Sequence, residues 1–310
     1  MQMDLCDRCA GCAVGAAVGD ALGMPLEFGP RQPADALVRE MRAGRLPAGT
    51  FTDDTEMALA LAESLLKTER LDPEDVAQRF VVWHRTNPAD IGMHTRQVLA
   101  RVARGEGWAR AAHAVQGGNP QSAGNGSVMR CWPVALADWR DLGRLLEDSR
   151  QQSQVTHMHQ DCQDACAFVN AAIVRLMHGE TPVDAVALAL ADAQVPAELR
   201  QIIEAAPRRR QEELVNSGWV RHTLESAVWG LLTTDSFEEA LVQVANLGND
   251  ADTAASVVGA LAGAAYGLAA IPQRWQEPLH GEWPPQADSP RPWWTVDALS
   301  GLARRLAQVG

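Results

Sequence analysis

The sequence has few cysteines and no excess of positive charge, and each deficit excludes a class of protein. Six cysteines in 310 residues are too few for a disulfide scaffold, so we expect reduced thiols. Twenty-seven basic residues stand against 39 acidic ones, and the net charge of −12 opposes nonspecific binding to nucleic acid or to an anionic membrane. We therefore expect no nucleic-acid partner.

Long apolar runs are also missing. No segment approaches the roughly eighteen uninterrupted apolar residues of a membrane span. The N-terminal sequence MQMDLCDRCAGCAVG lacks the basic and apolar regions of a signal peptide. These absences predict a cytoplasmic protein with no membrane partner.

Strand-like alternation is scarce, whereas helical periodicity recurs along the chain. From Thr55, the segment TEMALALAESLLKTERL places Met57 and Leu61 on one helix face. Asp53 with Glu56 resembles a capping box at the start of this helix.

The organisation of the chain is simple, because neither an interdomain linker nor an internal repeat is evident. We predict an all-α fold in which residues 1–310 form a single compact domain of about a dozen helices. Gly15, Gly19 and Gly23 follow one another at helical spacing, which lets another helix pack closely against them.

Thr52, Asp53 and Asp54 immediately precede the strongest helical segment. Consecutive residues project roughly 100° apart on a helix, so these three converge only if part of the triplet lies in the preceding loop. Capping by Asp53, with Asp54 complementing the helix dipole, would explain the acids without a function. The segment alone leaves both interpretations open.

A second acidic segment, NLGNDADTAASVVGALAGAAYG, begins with Asp250, Asp252 and Thr253 before a run of small and apolar residues. If this helix start meets the first one in space, four carboxylates face one another and require cations. Oxygen ligands without cysteine or histidine favour Mg²⁺, Mn²⁺ or Ca²⁺ over zinc. Four carboxylates suit two such ions.

The segment SAGNGSVMRC offers closely spaced backbone N–H groups ahead of Arg130, which suits a phosphate or a ribose hydroxyl. It matches neither the P-loop nor the dinucleotide fingerprint, and an ordinary turn remains an alternative. Glu27, after a proline turn, is solvated or catalytic.

In this order, the motifs GDALGMPLEF, TDDTEM, AGNGSVMR, THMHQDCQDAC and NLGNDADT resemble those of the ADP-ribosylglycohydrolase family, in particular its dinitrogenase reductase-activating members. The resemblance extends from residue 11 to about 275. It implies an all-α enzyme with two Mg²⁺ or Mn²⁺ ions that hydrolyses the N-glycosidic bond between ADP-ribose and a protein side chain, typically arginine.

The resemblance also implies the site residues. The implied metal ligands are Thr52, Asp53, Asp54, Asp250, Asp252 and Thr253. Glu27 resembles a glutamate beside the metals and the ribose, Asp90 resembles an aspartate near the scissile ribose, and Asp252 is also expected to be essential to catalysis. The implied ADP-ribose contacts are Gly124, Asn125, Gly126, Ser127, Arg130, His157, His159 and Trp219.

Such a bond breaks through an oxocarbenium-like state, so the site must orient the ribose hydroxyls, activate water and protonate the departing nitrogen. The sequence departs from the family at GWVRHTL, where Trp219 replaces a tyrosine and Arg221 and His222 replace a Val-Asp pair. Met93 replaces a residue that is usually polar. The first departure is expected to add positive charge to the cleft. The second puts the specificity for arginine-linked ADP-ribose in question.

Other functions are therefore retained as alternatives. Serine-linked ADP-ribose, O-acetyl-ADP-ribose and ADP-ribosylated nucleic acid are other substrates for the same chemistry. A catalytically silent relative that binds ADP-ribose, or an immunity protein against a toxic transferase, is the rival class. We expect an ADP-ribosylated protein as the substrate partner and a monomeric enzyme.

Overall fold

The computed structural model describes residues 5–88, 90–283 and 293–309, and their regular secondary structure is almost wholly helical. In these ranges the 15 α-helices are α1 (Leu5–Gly23), α2 (Asp53–Thr68), α3 (Pro73–His84), α4 (Met93–Val102), α5 (Trp108–Gly118), α6 (Trp132–Ala137), α7 (Leu142–Gln154), α8 (Gln160–Met177), α9 (Pro182–Asp192), α10 (Ala197–Ala205), α11 (Val220–Thr233), α12 (Phe237–Ala245), α13 (Ala251–Tyr266), α14 (Gln273–Gln276) and α15 (Val296–Val309). Single 3₁₀ turns span Met24–Leu26, Ala206–Arg208, Gln211–Glu213 and Leu268–Ala270. Two short antiparallel strands complete the described elements, β1 (Gly281–Glu282) and β2 (Trp293–Trp294). The all-α prediction is confirmed.

Helices α1 and α13 pack against each other at backbone distance. A Cβ on Gly15 would lie 2.3 Å from the carbonyl oxygen of Gly259, and a Cβ on Gly259 would lie 2.1 Å from that of Gly15. A Cβ on Gly263 would lie 1.9 Å from the carbonyl oxygen of Gly11. Only residues without a side chain fit at such contacts, so the small-residue spacing predicted from the sequence sets the distance between the two helices.

The same packing runs antiparallel and brings the end of α1 to the start of α13. A Cβ on Gly23, the last residue of α1, would lie 2.5 Å from the carbonyl oxygen of Ala251, the first residue of α13. The loops that continue from these ends are paired as well, because Phe28 N–H donates to Asn249 O and Asn249 N–H donates to Gly29 O. The acidic start of α13 is thereby held beside the segment that carries Glu27.

The approach to α2 is tied to a segment near the C-terminus. His280 N–H donates to Gly49 O over 2.8 Å, and Phe51 N–H donates to His280 O over 3.1 Å. Gly49 has a φ of +83°, and a Cβ there would lie 2.1 Å from the carbonyl oxygen of Pro278. Glycine is required at this position both by the backbone conformation and by the close approach.

The segment Leu5–Leu26, which contains α1, is long and apolar enough to cross a membrane by length and composition. However, 94% of its most apolar window is buried inside the fold, which is the pattern of a core helix. All six cysteines lie among the described residues, and none of them forms a disulfide. The cytoplasmic location, the monomeric state and the single domain over residues 1–310 stay predictions.

Asp138 and Asp148 form a buried acidic pair beside Arg144. Arg144 Nε lies 2.8 Å from Asp138 Oδ1 and 3.5 Å from Asp148 Oδ2, so one guanidinium faces two carboxylates. Burial, followed by the charge of Asp148, raises the pKa of Asp138 to about 7. Burial also raises the pKa of Asp148. The native pair therefore retains a proton that free aspartates would lose.

We expect this pair to lower the free energy of unfolding as the pH rises from about 4 to about 7. The native state binds a proton in this range that the unfolded chain has released, so the stability that depends on it is lost as the pH approaches 7. In Asp138→Asn the corresponding part of the pH dependence should vanish. Urea titrations of both proteins across this range measure it, and parallel pH profiles would contradict the prediction.

Candidate active site and metal centre

Asp20, a fully buried residue of α1, anchors the start of α2. Its carboxylate accepts hydrogen bonds from the backbone N–H and the hydroxyl of Thr52 and from the same two groups of Thr55, over distances of 2.6–3.1 Å. Burial raises the pKa of Asp20, although these four donors oppose the shift. No sequence pattern assigned a role to Asp20.

The capping prediction for Asp53 was wrong. Thr52 occupies the N-cap position of α2 and makes no side-chain capping bond, and its hydroxyl donates to Asp20 Oδ1. Asp53 and Asp54 are the first two residues of the helix, and both are buried. Asp54 Oδ1 has no hydrogen-bond partner among the described residues. Capping therefore does not explain these carboxylates.

The start of α13 has the same character. Asp250 is the N-cap residue and makes no capping bond with its side chain, while Asp252 lies in the first turn. The Oδ2 atom of Asp250 accepts a hydrogen bond from Asn125 Nδ2 over 2.8 Å, and Asp252 Oδ1 accepts one from the N–H of Thr253 over 2.9 Å. This acid pair therefore combines one residue before the helix with one inside it.

The two helix starts meet at a cavity of about 360 Å³, as the sequence predicted. The acidic residues that line it are Glu27, Asp53, Asp90, Asp250 and Asp252, and the hydroxyl residues that line it are Thr95, Ser217 and Thr253. One oxygen each of Glu27, Asp250 and Asp252 lies within 4.8 Å of the other two, close enough to share a cation. Thr52 and Asp54 are buried and are not among the lining residues.

The carboxylates of the cluster perturb one another. Burial raises the pKa values of Asp53, Asp54 and Asp252 well above the usual range, and the charges of neighbouring carboxylates raise them further. For Asp252 the largest neighbouring charge is Asp54, which joins the two helix starts electrostatically. Burial also raises the pKa of Glu27. Such a cluster needs cations if its acids are to be ionised together.

Arg45 is a site residue that the sequence analysis missed. Its Nη1 atom forms an ion pair with Glu27, its Nε lies 3.0 Å from Asp90 Oδ1, and its Nη2 lies 3.7 Å from Asp252 Oδ2. Arg45 is one of several arginines in a loop that has neither periodicity nor a motif, so no sequence signal pointed to it.

The predicted ADP-ribose loop forms another wall of the cavity. Gly124, Asn125 and Gly126 line it, and the loop is fixed by the bond from Asn125 N–H to Gly218 O. The side-chain amide of Asn125 also donates to Thr223 Oγ1. Asn125 belongs to this loop and its side chain donates to Asp250, so it links this wall of the cavity to the acidic cluster.

His157 lines the cavity against Gly126, where a Cβ would lie 2.9 Å from its Cε1. Arg130 Nη2 donates to Thr156 Oγ1, so the hydroxyl of Thr156 can donate in turn to His157 Nδ1 over 2.8 Å. When Nδ1 accepts this bond, a neutral His157 carries its proton on Nε2. Burial, and then the nearby His94, lower its pKa well below the usual range, which favours that neutral form.

His94 also lines the cavity and stacks on His157, with ring centroids 4.7 Å apart and planes 26° from parallel. His94 was not predicted as a site residue, because the residues around it in the sequence form no chemical motif. The two imidazoles belong to segments that are distant in sequence, and only the fold brings them together.

Arg130 and Ser127, two residues of the AGNGSVMR motif, face away from the cavity. Arg130 is completely buried, donates to Gly126 O over 2.9 Å and lies 4.4 Å above the ring of Phe80. Ser127 is equally buried and accepts a hydrogen bond from Ser153. The expectation that Arg130 and Ser127 touch the ligand is therefore corrected: they support the loop from the core.

His159 and Trp219 are likewise not among the residues that line the cavity. His159 caps α8 by accepting a bond from the N–H of Asp161, and Trp219 is 39% exposed beside the start of α11. The Arg221 guanidinium lies 5.3 Å from the centre of the Trp219 ring, and the His222 ring meets that indole edge-on.

The family departures have defined surroundings. Arg221 forms ion pairs with Asp161 at 2.6 Å and Glu198 at 3.1 Å, so its charge is compensated rather than added to the cleft. Met93 lines the cavity and is 79% exposed, and Phe28 on the same rim is 84% exposed. An apolar rim therefore surrounds an acidic floor.

The model of the ADP-ribosylglycohydrolase family matches residues 1–310 of this sequence. The chain belongs to the ADP-ribosylglycohydrolase family. A solved structure titled ADP-ribosylglycohydrolase-related protein complex superposes with a TM-score of 0.81 at 34% identity, covering 98% of each chain. The expected family and fold, and the expected glycohydrolase class of enzyme, are confirmed.

Several curated ADP-ribosylglycohydrolase relatives are similar over most of their length. ADP-ribosylarginine hydrolase Tri1 of Serratia proteamaculans is 35% identical, over 88% of this chain and 75% of the relative. ADP-ribosyl-[dinitrogen reductase] glycohydrolase of Rhodospirillum rubrum is 33% identical, over 88% of this chain and 90% of the relative. Human ADP-ribosylhydrolase ARH3 is 26% identical, over 88% and 89%.

Proposed function

We propose that this chain is a binuclear-metal-dependent hydrolase that removes ADP-ribose from modified arginine side chains of proteins. The observation that carries the proposal is the meeting of the acidic starts of α2 and α13 at one cavity, together with Glu27 and Asp90. The names of the relatives from Serratia proteamaculans and Rhodospirillum rubrum support the arginine linkage and the protein substrate.

The donor set fits two Mg²⁺ or Mn²⁺ ions. Oxygen ligands alone suit these hard cations, and the unpartnered Asp54 Oδ1 offers an acceptor that no protein donor satisfies among the described residues. The hydroxyl hydrogen of Thr52 is committed to Asp20, which leaves the lone pairs of its oxygen for a cation. The residues that would hold the ions are Thr52, Asp53, Asp54, Asp250, Asp252 and Thr253. Bound there, the ions would supply charge for orienting ribose hydroxyls and activating water.

The remaining residues of the cavity divide the other tasks. Glu27 and Asp90 face the same space, so they are placed to accept a proton from water and to return one to the departing guanidine. The backbone of Gly124, Asn125 and Gly126, with the Nε2–H of His157, provides donors for the ADP-ribose. The exposed rim of Phe28 and Met93 excludes water from the edge of the bound substrate.

A direct assay of linkage and metal dependence tests the proposal. We expect release of free ADP-ribose from ADP-ribosylarginine in the presence of Mg²⁺ or Mn²⁺, and no release after chelation. Serine-linked ADP-ribose and O-acetyl-ADP-ribose serve as parallel substrates. Faster turnover of either would assign a different linkage, and binding of ADP-ribose without hydrolysis of any substrate would favour a silent relative.

A further inference from the structure

The Arg45 guanidinium is the feature of the site that the proposed function does not use. Among the described residues, Arg45 is the only cation within ion-pair distance of Glu27, Asp90 or Asp252. Only 29% of its side chain is exposed, and the side chain of Asp252 is 3% exposed, so these charges are only weakly screened by solvent.

The loop that carries Arg45 is fixed on both sides. Gly44 passes so close to Pro25 that a Cβ on Gly44 would lie 2.8 Å from Pro25 Cα, two residues before Glu27. On the other side, Gly49 and Phe51 are bonded to His280. Because the backbone is held at both ends of this short segment, Arg45 remains directed at the carboxylates.

Arg45 also joins parts of the site that are remote in sequence. Glu27 follows the 3₁₀ turn after α1, whereas Asp90 lies in the loop between α3 and α4. The planar guanidinium bonds to one through Nη1 and to the other through Nε, a two-directional contact that the single ammonium of a lysine does not reproduce. The separation between the two carboxylates is therefore set by one side chain.

We propose that Arg45 is a positioning residue of this site, which holds Glu27 and Asp90 in their working arrangement and contributes a fixed positive charge to the acidic cluster. This inference rests on the proposed function for its catalytic part. The fixed charge has a second consequence, because it repels any further cation that enters the cluster.

Three variants test the proposal in full-length protein stripped of metal. Arg45→Ala removes both the positive charge and the two-directional contact of the guanidinium, whereas Arg45→Lys keeps only the charge. Arg42→Ala is the matched control at an exposed arginine of the same loop. Calorimetric titration measures the affinity for Mn²⁺. Hydrolysis of ADP-ribosylarginine at saturating Mn²⁺ measures kcat and KM.

For Arg45→Ala we expect Mn²⁺ to bind roughly tenfold more tightly, since a repelling charge has been removed. We expect kcat to fall by about tenfold to a hundredfold with little change in KM, since the misplaced groups act on protons rather than hold the substrate. Arg45→Lys should bind Mn²⁺ like the unaltered protein but retain a reduced kcat. Millimolar guanidinium ion, and not ammonium, should restore part of the kcat of Arg45→Ala.

A misfolded variant would lose both metal binding and activity, so tighter binding with slower turnover distinguishes positioning from damage. Tighter Mn²⁺ binding with unchanged kcat would overturn the proposal, because Arg45 would then only compete with the metal for the carboxylates and would not position Glu27 and Asp90. If the Mn²⁺ affinity of Arg45→Ala were unchanged, the claim that Arg45 contributes a fixed positive charge to the cluster would be overturned. If the unaltered protein hydrolysed no ADP-ribose substrate, the proposed function would fail, and the Mn²⁺ titration would still decide whether Arg45 charges the site.

Discussion

Replacing Asp252 by asparagine is expected to reduce metal-dependent release of ADP-ribose by roughly a hundredfold or more, the scale of removing one electrostatic contact from a catalytic site. Asp252 belongs to the group of three carboxylates whose oxygens can share a cation, and its side chain is 3% exposed. Asparagine preserves the shape and the acceptor for Thr253 N–H, but it lacks the charge that retains a divalent ion.

The same substitution should act in the opposite direction on stability. In the presence of a chelator, removing one of several crowded carboxylates relieves repulsion, so Asp252→Asn should melt at a higher temperature than the unaltered protein. Asp35→Asn, at an exposed position, removes the same charge and is the control. Activity and Tm are both measured with and without Mn²⁺. Unaltered metal-dependent turnover of Asp252→Asn would contradict the proposed centre.

Gly259→Ala is expected to lower the free energy of unfolding by at least about 3 kcal/mol, the upper range for overpacking a core. The new Cβ would lie 2.1 Å from the carbonyl oxygen of Gly15, and both partners are backbone of buried helices, which have no flexible end to move aside. Alanine is intrinsically favoured over glycine in a helix by about 1 kcal/mol, so the clash must outweigh that gain.

Gly301→Ala is the matched control for this prediction. Gly301 lies inside α15, and a Cβ there would meet no other atom within 4 Å. The substitution should therefore raise stability by up to about 1 kcal/mol. Urea titration of both variants measures the difference, and a Gly259→Ala protein as stable as Gly301→Ala would show that α1 and α13 separate readily.

The fold class could be predicted because helical periodicity is visible within short stretches of the sequence. Asp72, Thr181 and Ser236, which are of residue types that favour the N-cap position, cap α3, α9 and α12 with their side chains. The spacing of Gly15 and Gly19 predicted close packing but not its partner, because nothing local to α1 specifies α13.

The site was predictable to the extent that its residues form recognisable segments. The two acidic triplets are such segments. Their repulsion predicted a need for cations if the two helix starts met, and the family resemblance implied that the six residues are metal ligands. Asp20, Arg45 and His94 contribute through contacts between distant segments, which a local pattern does not contain. Arg130 shows the converse, since a cation inside a motif turned toward Gln152 and Thr156 in the core instead of the cavity.

The bonds between Gly49, Phe51 and His280 affect how this protein can be divided. A fragment that ended before Pro278 would contain every proposed metal ligand, yet it would lack the backbone partners that align the entry to α2. Fragment boundaries chosen from the motifs alone would therefore keep every proposed ligand and the bonds from Thr52 to Asp20, but would lose the bonds that hold Gly49 and Phe51. A productive expression boundary must lie beyond His280, although the last proposed ligand is Thr253.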